Sequence, residues 1–136
     1  MRIVDIPVTM QKFYGQGSML HPDQNMIAEL LQKIPYGKVA IIDSLCEKMA
    51  YDHGTDVTCP MRTSAAIKKI SKLMALNEQK NSIPFWRVIR KNHLLINSPF
   101  TDLCATNLRK EGFRIDRTSK GEFKVQKLEE RLFTFI

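Results

Sequence analysis

Lys68 and Lys72 stand four residues apart, with Ser64 and Ser71 nearby, so a helix over this stretch projects both ammonium groups from one side. Cations and hydroxyls at that spacing suit the phosphate oxygens of a nucleic-acid backbone, which position a protein without reporting sequence. The charge distribution points the same way. Residues 62–91 hold Arg62, Lys68, Lys69, Lys72, Lys80, Arg87, Arg90 and Lys91 against Glu78 alone, which accounts for the whole net charge of +7. A helix that is merely solvated mixes signs, whereas cations gathered over one short stretch form the footprint of a polyanion-binding face. Arg90 and Lys91, on a predicted turn, extend that footprint.

Other chemistry finds little support. Cys46, Cys59 and Cys104 are odd in number and have no C-x-x-C spacing, so neither a disulfide framework nor a zinc knuckle is expected. His53 and Cys59 have no convincing second ligand nearby; no metal and no cofactor is expected. No paired acid and base suggests a further reaction. Apolar runs fall short of the roughly 20 residues that span a bilayer, and Met1 to Met10 contain Asp5 and Pro7 in place of an apolar signal region. The expectation is a cytoplasmic monomer with no membrane partner.

The elements that position these residues follow from periodicity and punctuation. Residues 1–22 read as an N-terminal arm, with a strand near Ile6 to Phe13 broken by Gly15-Gln16-Gly17-Ser18. Residues 23–136 read as one domain. Pro22-Asp23 starts a helix with Met26, Ile27, Leu30, Leu31 and Ile34 on one face, stopped by Pro35 and Gly37. Asp43 caps a short second helix with Leu45, Cys46, Met49 and Ala50 inward. Residues 51–62 are rich in turn formers and read as a loop. Thr63 and Ser64 cap the basic helix, whose buried stripe is Ala66, Ile67, Ile70, Leu73 and Met74. Short strands at Phe85 to Ile89 and His93 to Ile96, a helix from Thr101 or Asp102 to Gly112, a hairpin of Phe113/Ile115 and Phe123/Val125, and a last helical turn over Leu128 to Phe135 complete the chain. The class is mainly α with small β (α+β), a winged-helix-like domain with a helix-turn-helix and a C-terminal hairpin.

Ile34-Pro35-Tyr36-Gly37-Lys38-Val39, the basic helix, and Ile83-Pro84-Phe85-Trp86-Arg87-Val88-Ile89 resemble, in that order, the DNA-binding domain of methylated-DNA-protein cysteine methyltransferases. The chain is still more similar to their non-enzymatic relatives, the alkyltransferase-like proteins. Leu108-Arg109-Lys110-Glu111-Gly112-Phe113 is similar to the L-x-x-E-G-V stretch of the latter, so the resemblance spans roughly residues 24–135. It implies that Asn77 is a hinge, that Lys68 stands where an arginine fills the hole left by a flipped base, and that Ile42, Asn77, Phe85, Trp86 and Arg87 surround a base pocket. Phe85 and Trp86 occupy the positions of the family's thiol and histidine, and neither can attack an alkyl carbon or accept a proton.

The resemblance thus implies a non-enzymatic binder of double-stranded DNA, sensing O-6-alkylguanine for a repair-protein partner, with Ser64, Lys68, Ser71, Lys72, Arg90 and Lys91 on the DNA. The alternative is a protein-interaction module whose aromatic pair fills the former pocket. Phe85 and Trp86 admit both readings, and Arg87 is expected to pair with a carboxylate or cap a helix.

Overall fold

The computed structural model describes residues 1–76 and 83–135. Asn77, expected as a hinge, lies outside the described residues. The observed class is the expected α+β. Helices dominate, and the strands form one three-stranded and two two-stranded sheets.

The N-terminal residues depart most from expectation. β1 (Arg2–Asp5) pairs antiparallel with β2 (Ser18–His21), which in turn pairs in parallel with β4 (Val57–Thr58). The stretch expected as a strand instead folds into a 3-10 turn (Val8–Met10) and a four-residue helix α1 (Gln11–Tyr14). Pro7 sets the entry to that turn at φ −57°, and Gly15 and Gly17 take φ of +73° and +147° to bring the chain back. Strand β2 is covered on both faces. Met19 packs with Ile6 and Cys59, while Leu20 enters the main core. The expected short arm thus pairs into a sheet with β4 of the rest of the chain.

Helix α2 (Gln24–Lys33) begins as the sequence indicates, with the Asp23 carboxylate accepting from the Met26 amide at 2.9 Å. β3 (Ala40–Ile41) runs straight into α3 (Ile42–His53), so Asp43 lies in the first turn and does not cap. The helix outlasts the expected one because its exposed residues continue through His53, where Gly54 adopts the left-handed conformation at φ +66°. Residues 51–62 are thus largely ordered into helix and strand, and α4 (Pro60–Leu76) starts earlier than Thr63. Pro60 occupies the first helical position, where its missing N–H is no loss. Thr63 donates to the Cys59 carbonyl at 2.9 Å and so is an interior residue, not a cap.

Phe85–Arg87 form a 3-10 turn, not a strand, and only Val88–Ile89 (β5) pair, in parallel with β3. The turn at Arg90 to His93 and the Ile89–Leu95 bridge make a minimal version of the expected hairpin. Helix α5 (Thr101–Lys110), the stop at Gly112 with φ +90°, and the hairpin of β6 (Arg114–Arg117) with β7 (Phe123–Gln126) fall where expected. The last described residues cover the core without the expected helical turn. Leu132 bridges to Val39, and Phe133 and Phe135 pack edge to face at 5.0 Å.

Two apolar clusters share Trp86 at their boundary. One gathers Leu20, Ile27, Leu31, Leu45, Ile67, Ile70 and Phe85. The other gathers Val39, Ile89, Leu108, Phe113, Ile115 and Val125. The first cluster fixes α2, α3 and α4 together, which leaves the opposite face of α4 to solvent.

Candidate nucleic-acid interface

Arg62, Lys68, Lys69 and Lys72 are exposed on α4, and Ser64 is half-buried beside them. Ser71 is different. It is 4% exposed, and its hydroxyl donates to the Ile67 carbonyl at 2.8 Å. Four residues advance a helix by only about 40° beyond a full turn, so Ser71 follows Ile67 onto the buried face. Its placement on the outer face was wrong, because the expected face straddled the edge of the apolar stripe.

An open cavity of about 940 Å³ lies alongside the basic helix, with Ser64 and Lys68 in its wall. The start of α3 contributes Ile42 and Cys46, and the turn after β5 contributes Arg90, Lys91 and Asn92. Five of the residues singled out from sequence therefore meet here: Ile42, Ser64, Lys68, Arg90 and Lys91. Asp43, Glu47 and Asp56 also line it, so the positive potential is concentrated at α4 and the turn and does not fill the cavity. Arg90 approaches Glu122 at 3.7 Å, with both side chains 45% exposed. Such a surface pair is worth roughly 0–1 kcal/mol, and exchanging Glu122 for a phosphate is easy.

The aromatic motif points elsewhere. Phe85 is 2% exposed in the main core, and Trp86 packs edge to face against it at 5.2 Å and 85°. Neither ring lines the cavity, and nor does Arg87. Among the described residues of the expected base pocket, only Ile42 does. The correction has a physical reason: Phe85 has no polar atom to keep near water, and the polar atoms of Trp86 and Arg87 are both claimed by one carboxylate.

That carboxylate is Glu111, 7% exposed. It accepts from Trp86 Nε1 at 2.5 Å, from Arg87 Nε at 3.0 Å and from the Gly37 amide at 2.7 Å. Arg87 also donates to the Ile34 carbonyl at 2.9 Å. Arg131 donates to the carbonyls of Glu111 at 2.6 Å and Gly37 at 3.0 Å, with its guanidinium 3.6 Å from the centre of the Phe113 ring. The three sequence motifs thus converge on one buried ion pair. The carboxylate partner expected for Arg87 was correct in kind. Its identity was visible only as the acid of Leu-Arg-Lys-Glu-Gly, set between the buried Leu108 and Phe113.

The thiols are not poised for attack. Burial pushes Cys46 up to about 11 and Cys104 up to about 12, so both stay protonated near neutrality. Cys59 is 4% exposed. Among the described residues no cluster of three or more His, Cys, Asp or Glu side chains forms a metal site, and no helix is long and apolar enough to cross a membrane.

No family model matches the chain, and no curated protein matches its sequence. Solved structures do match. S. pombe Atl1, in complex with damaged DNA containing O6-carboxymethylguanine, superposes with a TM-score of 0.58 at 22% identity, over 82% of this chain and 94% of its own. The chain has the alkyltransferase-like fold. A second structure, S. pombe ATL in complex with DNA, agrees at a TM-score of 0.54 and 23% identity over the same shares. α3 and α4 are the two helices expected to form a helix-turn-helix, with β4 between them, and β6–β7 form the expected terminal hairpin.

Proposed function

We propose that this chain is a non-enzymatic DNA-binding protein of the alkyltransferase-like type that recognises alkylated guanine in double-stranded DNA. The observation that carries this reading is the exposed pair Lys68 and Lys72 on α4, with Lys68, Arg90 and Lys91 lining an open cavity beside it. The matching structures hold DNA, in one case damaged at guanine. Cations so arranged neutralise consecutive phosphates, and the cavity beside them has the volume to admit one extruded base.

Alkyl transfer has no support. Phe85 and Trp86 stand where the resemblance places a nucleophile and its base; Phe85 is buried in the main core and Trp86 is half-buried between the two clusters. Binding without turnover suits a protein that marks a lesion. On this reading it acts as a cytoplasmic monomer whose DNA complex is read by a repair-protein partner.

The test is a titration of matched duplexes with O-6-methylguanine or guanine, followed by DNA anisotropy and Trp86 emission. Binding to the lesion duplex should be about tenfold tighter, because a damaged base costs less to extrude and a stacked base is worth about 1–3 kcal/mol. Trp86 emission should change little, since its ring lies between the two cores and outside the cavity. Equal affinities would reduce the function to general DNA binding, and no binding to either duplex would point to a protein partner.

A further inference from the structure

Tyr14 is the one aromatic side chain among the described residues that line the cavity, and it comes from α1, in the N-terminal stretch whose sequence suggested only an arm. It is 43% exposed. Its position is fixed from both sides. Gln11 Nε2 donates to the Ile6 carbonyl at 3.1 Å, and the Gly15 amide closes α1 onto the Gln11 carbonyl at 2.7 Å. On the far side the chain is latched to residue 56. The Asp56 carboxylate accepts from the Ser18 amide at 2.8 Å and the Ser18 hydroxyl at 3.3 Å, while the Asp56 amide donates back to Ser18 Oγ at 3.1 Å. Gly17 makes room for the latch: a Cβ there would collide with the Asp56 carboxylate, and its φ of +147° disfavours any other residue.

The sheet also brings a cation to the basic helix. Arg2 of β1 reaches the His21 ring at 3.5 Å, and burial first, then the charges of Arg62 and Arg2, hold that imidazole below its ordinary value. A partly exposed aromatic face, held at the rim of a cavity whose other walls carry Lys68, Arg90 and Lys91, is the pairing of stacking surface and cations that binds unpaired nucleotides. We propose that Tyr14 is a base-stacking residue of this interface, delivered to the cavity by residues 1–21 and positioned by the Ser18–Asp56 latch. This rests on the DNA-binding reading above.

The experiment compares the full chain with Tyr14→Ala and Tyr14→Phe on a duplex carrying 2-aminopurine opposite an abasic position. DNA anisotropy is recorded across a salt series together with 2-aminopurine emission. Tyr14→Ala should bind about tenfold more weakly, with the slope of log K against log salt unchanged because no charge is lost. The parent and Tyr14→Phe should quench 2-aminopurine, and Tyr14→Ala should not. If Tyr14→Ala matches the parent in affinity and quenching while the parent binds with a steep salt slope, the stacking role falls and DNA binding stands. If the parent binds no DNA, both fall. A weakened Tyr14→Ala with a changed salt slope would also overturn the proposal, since that change reports lost cations.

Discussion

Reversing Lys68 and Lys72 together, Lys68→Glu with Lys72→Glu, is expected to lower duplex affinity by about 100-fold at roughly 0.1 M salt, since each lost phosphate contact removes close to one unit from the salt slope. Both side chains are exposed on α4 and make no ion pair among the described residues, so folding has little reason to change. The salt slope itself should fall by about two. Lys69→Glu is the informative comparison, because residue 69 is about 100° around α4 from Lys68 and so lies off the Lys68–Lys72 row. It should cost less than Lys68→Glu alone. Fluorescence anisotropy at three salt concentrations separates these outcomes. Retained affinity in the double variant would remove α4 from the interface.

Glu111→Ala is expected to produce the largest loss of stability. It strands the Arg87 guanidinium, whose side chain is 15% exposed, and leaves the Trp86 N–H and the Gly37 amide without their acceptor. Removing one member of a buried ion pair costs about 3–5 kcal/mol, several times the value of a surface pair. Asp116→Ala, which breaks the exposed Arg114–Asp116 pair at 3.2 Å, should cost less than about 1 kcal/mol. Urea unfolding followed by Trp86 emission measures both. Equal midpoints for the two variants would show that the Glu111 cluster does not hold the three motifs together. Its placement also explains why Arg87 is unsuited to DNA: its guanidinium is held inside by the Glu111 carboxylate and the Ile34 carbonyl, and its side chain is 15% exposed.

What was legible in the sequence follows from how local the deciding interaction is. α2, α5 and the β6–β7 hairpin are set by an Asp23 cap, a Gly112 stop and apolar periodicity, all within a few residues, and all three fall where expected. The N-terminal sheet was hidden because β2 and β4 pair across 38 residues, and β4 has only two residues. No periodicity announces a two-residue strand. Ser71 was misplaced for a finer reason, being at the margin of a helix face where a shift of about 40° exchanges solvent for core.

The interface was partly legible. Charge clustering located Lys68, Arg90 and Lys91, and the resemblance located Ile42, because these residues lie close to α4 or to a motif. Tyr14 and Asp56 escaped since neither belongs to a basic stretch, and only the β2–β4 pairing carries them to the cavity. The Phe85-Trp86 pair shows the limit of motif reading. Adjacent aromatics in a conspicuous motif marked a place in the chain; burial decided the role of Phe85, and the Glu111 carboxylate that of Trp86.

The most direct measurement is the affinity of the unmodified chain for an undamaged duplex across a salt series. If four to five phosphates are neutralised by the α4 and 90–91 cations, log K should fall with log salt at a slope of about −4. A slope near zero, or no measurable binding at low salt, would contradict DNA recognition by this face.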